Sequence, residues 1–98
     1  MAVVMIMHWA EATPAQYDQV RDAVGWETDH PDGAHAHQAW FEADGLHVVD
    51  VWESEAAFEA FVEGRLRPGV GAAGIPGQPR VRFAPLHRLF VPAAGVRG

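Results

Sequence analysis

The chain alternates between apolar runs with the two-residue period of a strand and stretches with the apolar spacing of a helix. The first run, Val3 to Trp9, is almost continuously apolar and β-branched, which predicts a strand buried on both faces. Thr13 to Gln16 then forms a helix start, with a capping Thr, a Pro at the first helical position and a Gln that completes a capping box. Apolar side chains recur at helical spacing at Tyr17, Val20 and Val24. Gly25 is placed to end this helix.

Residues 35–52 contain two alternating strand patterns joined by Asp44-Gly45. A two-residue type I′ turn at Asp44-Gly45 predicts a hairpin in which the numbers of paired residues sum to 89. In that register His37 faces Trp52, and His37, Asp50 and Trp52 lie on one face of the hairpin. A longer loop would shift the pairing.

A second helix is predicted after Ser54, which is its N-cap. Its apolar face consists of Ala57, Phe58, Phe61, Val62 and Leu66. Gly and Pro are frequent from Pro68 to Pro79, which predicts a flexible flap or crossover with at most one helical turn. Val81 to Val91 is predicted as the last strand, and Pro85 within it implies an edge position or a bulge.

The resulting order, β-α-β-β-α-β, predicts an α+β, ferredoxin-like fold with a four-stranded antiparallel sheet and two helices on one face. This single domain is expected over residues 1–92, with a loose tail over residues 93–98. The opposite face of the sheet is also apolar, because both phases of the first and third strands carry Val, Met, Ile or Leu. A second copy of the chain would cover that face, so we predict a homodimer with its sheets packed face to face.

Composition limits the classes of function. The 98 residues are 49% hydrophobic, enough for one core without covalent cross-links. The absence of cysteine excludes disulfides and thiolate chemistry, and it is compatible with the cytoplasm as the expected location. The formal net charge is −6 and no basic stripe is present, so a nucleic-acid partner is not expected. No apolar stretch approaches the length of a membrane span, so no membrane partner is expected.

The junction of the third strand and second helix, Val48 to Phe58, reads VVDVWESEAAF. This strand–Trp–x–Ser–helix–Phe pattern resembles the dimeric α+β barrel superfamily. That superfamily includes antibiotic-biosynthesis monooxygenase-like proteins, haem-degrading monooxygenases, and small cyclases and isomerases of polyketide and aromatic-compound pathways. The resemblance covers nearly the whole chain and is strongest to small actinobacterial proteins of undefined function. It implies a pocket between the sheet and the helices of each monomer.

The haem-degrading branch is a poor match to this sequence. It has a tryptophan on the second helix where this chain has Phe61, and its haem-ligating histidine falls where this chain has the Gly/Pro-rich segment. No histidine lies between Ser54 and Arg82. We therefore predict that the protein binds no haem and uses no cofactor.

His37 and Asp50 are the candidate catalytic pair. In the predicted hairpin they are diagonal neighbours within reach of a hydrogen bond, among otherwise apolar residues. A carboxylate that orients an imidazole and stabilises its protonated form makes a general base. The alternative is a structural pair that fixes strand register or sits at the dimer contact. His87, on the last strand, is a third catalytic candidate if it points into the same cavity, and it could equally lie at the sheet edge.

Four aromatic side chains are candidates for binding a flat or polycyclic apolar substrate, although each has an alternative role in the core: Trp52, Tyr17, Phe58 and Phe61. No metal site is predicted from His35, His37 and Glu42, because on an uninterrupted strand Glu42 points away from the two histidines. The only serine, Ser54, is explained as a helix cap, and the absence of lysine excludes Schiff-base chemistry.

These features predict a small homodimeric enzyme without a cofactor that acts on a small hydrophobic or aromatic compound. His37 would be the base or acid, and Asp50 would orient it. The resemblance implies an isomerase, a cyclase or a cofactor-free monooxygenase. The alternative is a non-catalytic ligand-binding or stress-response dimer in which His37 and Asp50 are structural.

Overall fold

The computed structural model describes residues 1–92, and the predicted tail, 93–98, lies outside them. Within that range the elements follow one another as β1 (Val3–Trp9), α1 (Pro14–Val24), β2 (Ala34–Glu42), β3 (Gly45–Trp52), α2 (Glu55–Phe61), α3 (Arg67–Ala73) and β4 (Arg80–Pro85). A π-helical turn, Val62–Leu66, joins α2 to α3. The strands form one antiparallel sheet in the order β2-β3-β1-β4. The predicted ferredoxin-like α+β fold is confirmed.

The predicted caps of α1 and α2 are present. The Thr13 hydroxyl accepts a bond from the Gln16 backbone N–H at 3.3 Å, and the Gln16 side chain accepts one from the Thr13 N–H at 3.0 Å. Gly25 ends α1 with a φ of 73°, and the Ser54 hydroxyl accepts from the Ala57 N–H at 3.1 Å. Local sequence therefore fixes where both helices begin.

The prediction of a flap from Pro68 to Pro79 is wrong for its first half, because α3 continues the helical path to Ala73. Pro68 lies in the first turn of α3, directly after the π-helical turn that joins it to α2. A Cβ at Gly69 would lie 2.6 Å from a methyl group of Val24, so this glycine permits close packing of α3 on α1. Gly74, with a φ of 69°, ends the helix.

The predicted register of the hairpin is wrong by two residues. The paired numbers sum to 87, so that the turn is Ala43-Asp44 and Gly45 begins β3. A type I′ turn needs positive φ at both central residues, and among the described residues only glycines have positive φ. Gly45 has a φ of 110°, and a Cβ there would lie 2.6 Å from the Trp9 carbonyl oxygen. Close contact with the end of β1 therefore requires a glycine at the first position of β3.

The last strand is shorter than predicted. β4 ends at Pro85 rather than Val91, opposite Val3, the residue at which its partner strand β1 begins. The edge position that Pro85 implied is confirmed, since β4 pairs only with β1. His87 follows β4 on no strand and is exposed.

The helix-facing side of the sheet carries the core. On β1 the odd positions, among them Met5 and Trp9, are buried, whereas the even positions are half-buried. The prediction of a strand buried on both faces is therefore wrong for the single chain. The reverse face leaves apolar side chains uncovered, and Trp40, on this face, is 42% exposed. No helix among the described residues is long and apolar enough to cross a membrane.

Candidate functional site

A cavity of about 470 Å³ lies between the sheet and the helices. Its wall is formed by the inward side chains of β1, β2 and β3, by α1, and by the helical stretch from α2 to α3. Most lining residues are apolar or aromatic, including Met5, Trp9, Tyr17, Trp26, Phe58 and Phe61. Such a wall suits a flat apolar ligand, which the few polar groups would orient.

Asp50 is the most buried polar group of the site, at 5% exposure. Its carboxylate accepts two hydrogen bonds, from His37 Nδ1 at 2.6 Å to Oδ1 and from Trp52 Nε1 at 3.0 Å to Oδ2. A buried carboxylate is costly unless donors replace its lost water, and these two N–H groups supply that compensation.

His37 connects this carboxylate to the phenol of Tyr17. Because Nδ1 donates to Asp50, the neutral imidazole carries its proton on Nδ1 and presents Nε2 as an acceptor. The Tyr17 hydroxyl lies 2.6 Å from Nε2 and donates to it. Desolvation by burial, with a smaller contribution from the charge of Glu27, raises the pKa of Tyr17 to about 12. The phenol therefore keeps its proton at neutral pH.

Trp26 packs from the helix side against the hydrogen-bonded side chains of Tyr17 and His37. Its ring meets Tyr17 edge-on at a centroid distance of 5.8 Å, and His37 at 5.4 Å. Its Nε1 is buried and has no hydrogen-bond partner among residues 1–92. No local sequence pattern indicates that the loop carrying Trp26 folds over His37.

The structure brings six of the seven predicted site residues to the cavity: His37, Asp50, Trp52, Tyr17, Phe58 and Phe61. It does not bring His87 there, because the strand that would have carried it ends at Pro85. The sequence predicted Tyr17 only as an aromatic wall. The one available signal for a polar role was a hydroxyl, in the chain's only tyrosine, on an apolar helix face.

The residues considered for a metal site near the cavity have separate partners. His35 lies at a β-bulge, and its Nε2 contacts the Glu53 carboxylate at 2.7 Å. His37 is held by Asp50 and Tyr17, and Glu42 accepts a bond from Trp40 Nε1 at 2.8 Å. These side chains do not converge on one point.

Solved structures with low sequence identity share this fold. SnoaB, described as a cofactor-independent oxygenase from Streptomyces nogalater, is 18% identical over 94% of this chain and 97% of that chain, with a TM-score of 0.60. A monooxygenase from the gene ActVA-Orf6 of Streptomyces coelicolor, solved with the ligand Nanaomycin D, is 23% identical over 94% and 92% of the two chains, with a TM-score of 0.55. A dimeric ferredoxin-like protein of unknown function from Thermobifida fusca is 17% identical over 88% and 92%, with a TM-score of 0.59.

No protein-family model and no curated protein matches the sequence. At these identities the structural likeness establishes the fold and does not carry activity from one protein to another. The described structural neighbours share this ferredoxin-like fold, which agrees with the fold predicted from the sequence.

Proposed function

We propose that this protein is a homodimeric enzyme of the monooxygenase type that works without a cofactor on a small hydrophobic, aromatic compound. The observation that carries the proposal is the continuous series of hydrogen-bonded side chains Asp50–His37–Tyr17, which lines a mostly apolar cavity. Asp50 is buried, whereas the His37 side chain is 32% exposed, and proton transfer is the chemistry that three such linked titratable groups can perform.

The proposed first step is removal of an acidic C–H or O–H proton from the substrate. The Tyr17 oxygen receives this proton while its own proton passes to Nε2 of His37. Asp50, which accepts from Nδ1, stabilises the imidazolium that forms. Because the pKa of Tyr17 is raised to about 12, the phenol does not ionise beforehand, and it moves its proton only in concert with His37.

The anion left on the substrate has two outcomes. In oxygenation it reacts with O₂: a CH₂ group and O₂ become a carbonyl and water, and the substrate supplies all four electrons. In isomerisation or cyclisation the proton returns to another carbon or a new bond forms. The names of SnoaB and the ActVA-Orf6 protein support the first outcome.

The partner proposed for this enzyme is a second copy of the chain. The reverse face of the sheet presents half-buried Val4, Ile6 and Val49. Beyond β4, Phe90 is 78% exposed and Val91 55% exposed. An apolar face and an exposed apolar segment together favour association, and the dimer described for the Thermobifida fusca protein supports it. The cytoplasm, which the absence of cysteine permits, is the proposed location.

The proposed experiment measures ligand binding and removal of the substrate proton separately. Quenching of tryptophan fluorescence by a panel of flat phenols, anthrones and aromatic ketones measures binding, since Trp9, Trp26 and Trp52 line the cavity. Exchange of the ligand's acidic protons in D₂O, followed by NMR, measures the first step whichever reaction follows. An oxygen electrode then distinguishes oxygenation from isomerisation.

Variants of Tyr17 and His37 test whether these side chains carry out the proton transfer. Tyr17→Phe and His37→Gln should each slow exchange by about 100-fold or more while binding persists. His87→Gln, outside the cavity, is the matched control and should exchange at the wild-type rate. Binding without exchange in the wild type would favour the ligand-binding alternative, and absence of binding by the whole panel would contradict both functions.

A further inference from the structure

A second cluster of titratable side chains lies on the reverse face of the sheet, away from the cavity. His8 on β1 and His47 on β3 are directly paired, and their rings stack at a centroid distance of 4.7 Å. Asp44 lies in the turn between β2 and β3, three residues before His47. The three side chains come from two segments that are distant in the sequence, so the fold and not local sequence brings them together.

Their ligand atoms point to one place. His47 Nε2 lies 2.7 Å from one Asp44 carboxylate oxygen, and His8 Nε2 lies 3.5 Å from the other and 2.8 Å from the Asp44 backbone carbonyl oxygen. All three residues offer a ligand atom within 4.8 Å of the others. Around a tetrahedral ion with bonds of about 2.0–2.2 Å, neighbouring ligand atoms are about 3.3 Å apart. Changes of less than about 1.5 Å in these separations would therefore suffice.

A fourth group stands next to this cluster. Glu42 has a carboxylate oxygen 3.5 Å from His47 Nε2, and this same oxygen accepts a bond from Trp40 Nε1 at 2.8 Å. Trp40 also stacks on the His47 ring at 5.4 Å. A ligand held by an outer hydrogen bond and an imidazole held by a stacked ring are features of organised metal sites.

The charges around the cluster favour a cation. Asp44 and Glu42 supply two negative charges, and Arg80, paired with His8 across β1 and β4, supplies one positive charge. Hydrogen bonding to His47 lowers the pKa of Asp44, so its carboxylate is ionised at neutral pH.

We propose that His8 Nε2, His47 Nε2 and the Asp44 carboxylate form a binding site for a divalent transition-metal ion of the zinc class. Imidazole and carboxylate ligands suit Zn²⁺, Co²⁺ and Ni²⁺, and Glu42 or a water completes the coordination. The ion clamps the β2–β3 turn onto the end of β1 and takes no part in the cavity chemistry.

Co²⁺ and Zn²⁺ themselves are the probes, used with tag-free protein freed of metal. The wild type should bind one equivalent of Co²⁺ per chain, with visible ligand-field bands, and Zn²⁺ should displace it. At 100-fold excess over its Kd, Zn²⁺ should raise the Tm by about 10 °C or more, and EDTA should reverse this. Binding should weaken as the pH is lowered, because protons compete with the metal ion for the imidazole nitrogens.

Variants locate the site. His8→Gln and His47→Gln should each lose the Co²⁺ bands and the Tm shift, and Asp44→Asn should weaken binding at least about tenfold. His35→Gln and His87→Gln, at histidines outside the cluster, should bind as the wild type does. Circular dichroism without metal establishes that each variant folds. If a histidine variant does not fold, Asp44→Asn provides the test of the site in its place. No binding by the wild type, or loss of binding in His35→Gln instead, would overturn the site.

Discussion

His37 and Asp50 lie directly opposite each other on β2 and β3, and a 2.6 Å hydrogen bond joins Nδ1 to Oδ1. The sequence predicted them as diagonal neighbours on the same face. A shift of two residues preserves the face of every side chain, since the strand period is two. For this reason the predicted pairing of His37 with Asp50 was correct although the predicted register was wrong. In the observed register the two residues are directly opposite each other.

Asp50→Asn should destabilise the protein by about 1–3 kcal/mol, because an amide cannot accept from both His37 Nδ1 and Trp52 Nε1. The side-chain amide that then faces His37 should move the imidazole proton to Nε2. Chemical denaturation measures the first effect, and ¹⁵N NMR of the histidine ring measures the second.

Trp52→Phe is the matched control for Asp50→Asn. It removes one donor from the Asp50 carboxylate and leaves the contact with His37, so the tautomer of His37 should stay as in the wild type. An Asp50→Asn variant with wild-type stability and an unchanged tautomer would contradict the hydrogen-bond chain.

Tyr17 should titrate with a midpoint of about 12 instead of its ordinary 10.0, because burial disfavours the phenolate. Below pH 10 the folded and unfolded chains both hold this proton. Between about 10 and 12 only the folded chain holds it, so Tyr17 makes the free energy of unfolding fall as the pH rises through this window. Ultraviolet phenolate absorbance reads the residue directly, since the chain has one tyrosine.

Glu27→Gln tests the electrostatic part of this shift. Removing the Glu27 charge should lower the midpoint of Tyr17, while Glu59→Gln, on the exposed side of α2, should leave it unchanged. A midpoint near 10 in the folded wild type would show that the phenol is not buried in the way described.

Gly45→Ala should cost about 2–4 kcal/mol of stability. The substitution forces an L-residue to a φ of 110° and places a Cβ 2.6 Å from the Trp9 carbonyl oxygen. Gly71→Ala, in α3 with open space around it, should instead be neutral or stabilise by up to about 1 kcal/mol. Urea midpoints of the two variants measure the difference, and equal values would refute the close contact at Gly45.

Ile6→Glu should convert the proposed dimer to a monomer, because it places a charge in the middle of the apolar reverse face. Ala60→Glu adds the same charge to an exposed position on α2 and should leave the oligomeric state unchanged. Sedimentation velocity measures both. A wild type that sediments as a monomer at micromolar concentration would count against the dimer.

Prediction from the sequence was accurate for the helix starts and wrong for the extent of α3. The helix starts at Thr13 and Ser54 were predicted to the residue, because a capping residue and its partner lie within three positions. The extent of α3 was missed, because the frequent Gly and Pro from Pro68 to Pro79 predicted a flexible flap that includes Gly69. The role of Gly69 is to allow close contact with Val24 on another helix, which no local window contains.

The sequence by itself determined the β-α-β-β-α-β order, the helix caps and which residues of the hairpin share a face, since periods of two and 3.6 residues are local properties. It thereby placed His37, Asp50 and Trp52 on one side of the sheet. Only the tertiary structure decided that the Tyr17 hydroxyl meets His37, that the turn stands at Ala43-Asp44, and that His87 lies away from the cavity. Each of these depends on how closely one backbone segment approaches another, and packing of the whole chain sets that distance.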